Sequence, residues 1–331
     1  MAWFAEYGMF LLKVATLVGG ILIVVAGLVA IAMKAKDKEE GQLTVKKLND
    51  HYNELADTLN KEILDKKEYK KMQRADKKAK KIATKDKSDE STSRVFVINF
   101  RGDVKASAVN QLREEITAIL SVATSDDEVV VIVESGGGMV PHYGLAANQL
   151  QRIRDKNIYL TVCVDKIAAS GGYLMACVAN RLLAAPYAYV GSIGVVAQMP
   201  NFNRWLRKKH IDFELHTAGD DKRTLTLFGE NTRKDREKFQ HEIMAVHEQF
   251  KSFIAKHRPQ VDIEEVGTGK HWTGSQALEH KLIDDLVTSD DYLFSKKNDA
   301  DIYEVAYKAP MRISQKIFSS LGMLMNESRY M

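Results

Sequence analysis

Between Arg94 and Val164 the chain alternates short, unbroken apolar runs with longer amphipathic stretches. Arg94–Phe100, Glu128–Glu134 and Ile158–Val164 are rich in Val and Ile and too short for buried helices, so they predict strands. Val109–Val122, Leu145–Arg154 and Gly172–Ala179 follow these runs and predict helices. Strands that are apolar throughout, rather than at every second position, belong in a mostly parallel sheet covered on both faces. Further along, short strands are predicted at Leu182–Ala184 and Phe213–His216. A long helix follows from Lys234 to about His257, ended by Pro259. No internal repeat is present. The pattern predicts an α/β domain over 94–310.

The first 93 residues follow different rules. Val14–Met33 carries no charge and is dominated by Val, Leu, Ile, Ala and Gly. A helix needs about 20 such residues to cross a hydrocarbon core. Ala30-Ile31-Ala32 resembles a signal-peptide cleavage site, but the apolar run exceeds the roughly 7–15 residues usual for one, which favours an uncleaved anchor over 1–33. Residues 34–93 are dense in Lys, Asp and Glu and predict a charged helical stalk or linker. Leu43, Val45, Leu48, Tyr52, Leu55, Leu59, Ile63 and Leu64 mark an amphipathic helix in its first half, and 66–87 is nearly pure charge. Lys34, Lys36 and Lys38 just past the apolar run, against Lys13 before it, place the globular part on the cytoplasmic side by charge bias alone. At the other end, 311–331 forms a tail in which Met311–Met325 has amphipathic character.

Composition narrows the classes. The chain has 331 residues, 45% hydrophobic and 28% charged, which is ordinary for a folded protein. A net charge of +4, concentrated in the Lys-rich early segment, gives no basic face for nucleic acid. Cys163 and Cys177 lack CxxC spacing, sit among apolar neighbours and read as core residues. His241 and His247 miss HExxH, no metal site is expected, and no cofactor motif is complete.

Two glycine-rich turns follow predicted strands. Glu134-Ser-Gly-Gly-Gly-Met139 has neither GxGxxG spacing nor a following GK[ST], so dinucleotide and Walker-type phosphate binding are both excluded. It is either a structural turn or an oxyanion hole built from backbone N–H groups. Ala168-Ala-Ser-Gly-Gly-Tyr173 places Ser170 at a strand–helix junction, where it either caps the helix or projects into a cleft as a nucleophile. A serine nucleophile needs a base, and no histidine falls in a recognisable triad motif. Lys222, in the polar loop Thr217–Thr224, is the remaining candidate. It acts as a base only if desolvation makes it neutral; otherwise it is one solvated lysine among many.

The motifs Ala169-Ser-Gly-Gly-Tyr173, Val190-Gly-Ser-Ile-Gly-Val195 and Trp272-Thr-Gly-Ser-Gln-Ala-Leu278, with the Lys222 loop, resemble the signal peptide peptidase A family of serine peptidases. The run Val195–Asn203, the segment His216–Thr226, the anchor and the charged stalk resemble its SohB branch, and the likeness covers essentially the whole chain. The resemblance implies a Clp protease/crotonase-type fold and a Ser–Lys dyad, with Ser170 as nucleophile and Lys222 as base. It further implies that Ser192 orients the lysine amine and that the N–H groups of Gly138 and Gly171 hold the oxyanion. Ala168, Ala169 and Gly191 are expected near the substrate pocket.

Also implied are a homo-oligomeric ring in which one protomer's lysine serves the next protomer's serine, and no cofactor. Peptide or protein substrates such as signal peptides are expected, cut by a single-pass protein of the bacterial inner membrane with a periplasmic catalytic domain. The periplasmic placement and the charge bias of Lys34–Lys38 point to opposite sides. Two other functions share the fold: a non-hydrolytic scaffold, and a crotonase-like acyl-CoA enzyme. One position departs from the family, since Gly136 stands where the turn usually has proline. Loss of the proline's fixed φ loosens the loop that carries Gly138 and predicts slower or less well organised catalysis.

Overall fold

The computed structural model describes residues 8–10, 12–23, 26–27, 41–86, 93–219 and 222–310. They fall into two compact units, Met1–Thr44 with Tyr307–Met331, and Val45–Ala306. In the first unit, residues 8–10, 12–23 and 26–27 are helical and carry exposed apolar side chains, among them Phe10, Leu12, Leu17, Leu22 and Ile23. Among the described residues no helix is long and apolar enough to cross a membrane. Residues 24–25 and 28–33 of the predicted span lie outside the described residues, as do Lys34–Lys38 and the whole tail 311–331.

The second unit is built on a sheet whose long strands are β2 (Arg94–Gly102), β3 (Glu128–Ser135) and β4 (Tyr159–Val164). They pair in parallel, with Val95 opposite Glu128, Gly102 opposite Ser135, and Val129 opposite Leu160. β6 (Arg181–Ala184) and β9 (Asp285–Leu286) extend the sheet beyond β4, and β10 (Asp301–Lys308) flanks β2, giving the order β10-β2-β3-β4-β6-β9. A smaller layer branches off: β5 (Ile167–Ala169) pairs with the end of β3 and with β7 (Tyr189–Gly191), and β7 pairs antiparallel with β8 (His271–Thr273).

Alternation along the strands divides the core in two, because successive side chains point to opposite faces. Phe96, Ile98, Val129, Val131, Leu160 and Val162 face the larger core, with Leu112 and Ile116 of α3 (Val109–Leu120) and Ala146, Leu150 and Ile153 of α4 (Val140–Asp155). Val95, Val97, Val130, Cys163 and Leu183 face the smaller one, closed by Tyr292 and Leu293 of α8 (Ser289–Lys296). Both cysteines are buried and free, and burial pushes their thiols well up, so they are inert core residues as their neighbours predicted.

The early segment differs from its sequence pattern. Residues Gln42–Lys47 form a strand, β1, and the helix α1 begins only at Leu48 and runs to Ile63. Leu48 and Tyr52 pack on the smaller core, and the Asn49 side chain donates to the carbonyls of Lys297 and Ala300 while accepting from the Ile302 N–H at 2.7 Å. The charge-rich stretch is helical, as α2 (Lys66–Asp86). The strand predicted at Phe213–His216 does not form; the segment is irregular and leaves Phe213 and Leu215 exposed. Its alternation reflects no buried face. Phe213 packs instead on Phe228, with ring centroids 5.6 Å apart.

Candidate active site

The two glycine-rich turns meet where β3 and β5 end, the edge at which open parallel sheets bind ligands. Ser170 follows β5 directly and precedes α5 (Gly171–Ala176). Its backbone is held at φ 50° and ψ −117°, a region a non-glycine residue enters only when its surroundings force it. Here they do. The Ser170 N–H donates to the Gly191 carbonyl at 2.7 Å, and its carbonyl accepts from Leu174 at 2.9 Å. The side chain makes no capping bond to the helix, which removes the helix-cap role. Its hydroxyl therefore lines an open cleft, on a backbone that carries strain characteristic of functional turns.

The opposite lip is the turn Gly136–Met139. Gly137 adopts φ 85°, and a Cβ there would lie 2.6 Å from the Gly171 nitrogen and 2.8 Å from the Ser170 Cβ. A Cβ on Gly138 would lie 2.1 Å from the Val104 carbonyl oxygen, and one on Gly171 would strike the Tyr143 ring at 2.4 Å. These three positions admit only glycine, because two backbones and an aromatic ring converge there. Among the described residues the Gly138 N–H has no acceptor, and the Gly171 N–H belongs to the first turn of a helix, where intrahelical partners are lacking.

The cleft encloses about 1020 Å³. Gly138, Ser170, Gly171 and Ser192 all line it, so four of the five principal predicted residues come together. Ser192 also has a positive φ, 53°, and its N–H donates to the Lys270 carbonyl at 2.8 Å. Ala168, Ala169 and Gly191 are buried and do not line the cleft. Leu174, Val195 and Val140 supply its apolar surface instead, with Val246, Phe250 and Phe253 from α7 (Arg233–His257).

Lys222 is not in the cleft. It is exposed, between α6 (Asn203–Lys208) and α7, and its N–H donates to the Gly219 carbonyl at 3.2 Å. His247, by contrast, lines the cleft, with Nε2 3.2 Å from the Ile193 carbonyl. Because a carbonyl only accepts, Nε2 carries the proton and a neutral ring leaves Nδ1 as acceptor. Tyr143 carries no sequence signal, and His247 enters the sequence pattern only in a spacing that misses HExxH. The wall Val246-Phe250-Phe253 had a detectable signal, since those residues share one face of a helix. Among the described residues no cluster of His, Cys, Asp or Glu is arranged to hold a metal.

A strained serine at a strand–helix turn, facing glycine amides across a cleft on a mostly parallel α/β sheet, is an arrangement suited to nucleophilic hydrolysis. The comparisons with known proteins agree. Residues 2–150 match the N-terminal region of peptidase family S49, and residues 152–303 match peptidase family S49 itself. "Probable protease SohB" of Haemophilus influenzae is 43% identical over 97% of this chain and 93% of its own length. The SohB protein of the same description from Buchnera aphidicola subsp. Schlechtendalia chinensis is 45% identical over 89% of this chain and 100% of its own. A third, from Buchnera aphidicola subsp. Acyrthosiphon pisum, is 53% identical over 71% of this chain and 70% of its own. The chain belongs to peptidase family S49, and it is a protease.

Proposed function

We propose that this protease is a membrane-anchored endopeptidase that uses Ser170 as nucleophile and Lys222 as general base, and that the lysine comes from a neighbouring protomer. The observation that carries the serine assignment is the strained, uncapped Ser170 on the cleft opposite the Gly138 N–H, which has no acceptor among the described residues. In the reaction, a neutral Lys222 amine takes the Ser170 proton and the alkoxide attacks a peptide carbonyl. The Gly138 and Gly171 N–H groups hold the oxyanion, and Lys222 returns the proton to the leaving amine. Water then hydrolyses the acyl-enzyme, and Ser192 holds the amine in line.

Supply of the lysine from a second copy is supported by two facts. Lys222 lies outside the cleft of its own chain. The surrounding segment also exposes Val196 at 81%, Trp205 at 57%, Phe202, Phe213 and Phe228, an apolar surface suited to a protein contact. Burial at such a contact would desolvate the amine and favour its neutral form, as a base requires. The apolar cleft walls fit extended, apolar segments of unfolded or membrane-derived peptides, signal peptides among them. The exposed apolar side chains of helical residues 12–23 support the anchor.

A second base is favoured by one observation: His247 is in the cleft and Lys222 is not. Two substitutions separate them. With Lys222 as base, Lys222→Ala abolishes reaction of Ser170 with a peptidyl phosphonate, while His247→Gln still labels. The reverse pattern would replace Lys222 by His247. Labelling that persists in Ser170→Ala would remove the serine assignment itself.

A further inference from the structure

The turn that carries Gly138 is held by a chain of hydrogen bonds whose direction can be assigned proton by proton. The Tyr143 hydroxyl lies 2.7 Å from the Asp103 carbonyl oxygen, which can only accept, so the phenol proton points there. Ser135 Oγ lies 2.6 Å from the same hydroxyl, and with the phenol proton already used, Ser135 is the donor in that pair. Its oxygen then accepts the Gly137 N–H at 3.1 Å. The sequence Gly137 N–H to Ser135 to Tyr143 to the Asp103 carbonyl is complete, and every hydroxyl in it both donates and accepts.

The chain is buried and closely fitted. Ser135 is 2% exposed and Tyr143 is 0% exposed. The β2 residue Gly102 makes room for it, because a Cβ there would lie 2.4 Å from the Tyr143 hydroxyl and 2.6 Å from Ser135 Oγ. The Tyr143 ring meanwhile lies under Gly171, the other expected oxyanion donor. On the far side of the turn, the Met139 N–H donates to the Val104 carbonyl at 2.8 Å. The Gly138 N–H is thus bracketed by two anchored amides, those of Gly137 and Met139, and itself has no acceptor among the described residues. Position 136 offers no equivalent restraint: its φ is not positive, and a Cβ there would meet only Ile167, at 3.9 Å.

We infer that Ser135 and Tyr143 are positioning residues that aim the Gly138 N–H at the developing oxyanion, through hydrogen bonds that restrain Gly137 and supply part of the rigidity the turn lacks without a proline at 136. This rests on the assignment of Ser170 and of Gly138 under the proposed function. An oxyanion donor acts only in the transition state, so misaiming one lowers kcat and leaves KM nearly unchanged. The expected loss is about 10-fold to 100-fold, below the roughly 10²–10³ of removing a donor outright.

The test compares Tyr143→Phe, Ser135→Ala and Ser170→Ala in the full-length protein. Hydrolysis of an unstructured polypeptide is measured alongside affinity for a peptide boronate, a mimic of the tetrahedral state. The expected result is a fall in kcat with KM held within about twofold, and a matching loss of boronate affinity, in both positioning variants. Two hydroxyl variants guard against misfolding of either one. Wild-type kcat and boronate affinity in a folded Tyr143→Phe or Ser135→Ala, with Ser170→Ala inactive, would overturn the positioning role and leave the serine assignment standing. Activity persisting in Ser170→Ala would instead remove the assignment on which the inference rests. A rise in KM with kcat unchanged would show the two hydroxyls shape substrate binding, and would overturn the inference as well.

Discussion

Gly136, Ser170 and Tyr143 show how far single residues could be read. Gly136 was visible as a departure from the family's turn, and its surroundings leave space for a larger residue. Gly136→Pro is expected to raise turnover on peptide substrates, because it removes freedom next to the bonded Gly137. An unchanged or lower rate in steady-state assays would contradict that. Ser170 could be located from its small-residue turn, but whether it capped a helix was a question of φ and side-chain direction, which composition does not encode. Tyr143 carried no signal. The role proposed for it comes from a hydroxyl that joins α4 to Ser135 of β3 and to Asp103, just past β2, and long-range contacts of that kind appear only when the sheet is assembled.

At the scale of elements, the strands were legible because unbroken apolar runs leave a chain few alternatives to a buried parallel sheet. The segment between β7 and α7 was not, since its alternating residues pack on each other rather than on a core. Helix α5, which follows Ser170, is tied down from the far side. The Tyr173 hydroxyl donates to the Leu282 carbonyl at 2.8 Å. Two residues beyond Leu282, Asp284 takes both Arg258 nitrogens at 2.8 Å and the Leu182 N–H at 2.7 Å. Arg258 is 2% exposed, so Asp284→Ala strands a buried cation and is expected to cost about 3 kcal/mol in urea unfolding.

Burial alone would raise the Asp284 carboxyl, but the Arg258 and Leu182 hydrogen bonds outweigh it and hold the group below the usual carboxylate range. A carboxyl depressed on folding stabilises fully above its unfolded value, near ~3.9, and that contribution is lost as pH falls through the lower folded value. Melting temperature of the wild type should therefore drop more steeply below about pH 4 than that of Asp284→Asn. Parallel curves for the two proteins would contradict the assignment.

At the scale of the whole molecule, Ser170, the proposed nucleophile, and Lys222, its proposed base, occupy one chain without sharing one cleft. The fold class and the serine turn were legible from local sequence. The separation of Lys222 was not, because it depends on where a long irregular segment leaves the domain. Alkaline phosphatase fused after Met331 is expected to be active, as a periplasmic catalytic domain requires. An inactive fusion beside an active cytoplasmic reporter would place the domain on the side favoured by Lys34–Lys38.

The most direct test of the central claim is hydrolysis of an unstructured polypeptide by purified Ser170→Ala, by Lys222→Ala, and by the two variants reassembled together. Each variant alone should be inactive and the mixture should recover a fraction of wild-type activity, since some interfaces then pair an intact serine with an intact lysine. Activity in either variant alone would contradict the dyad, and a mixture as dead as its parts would contradict a lysine supplied by the neighbouring protomer.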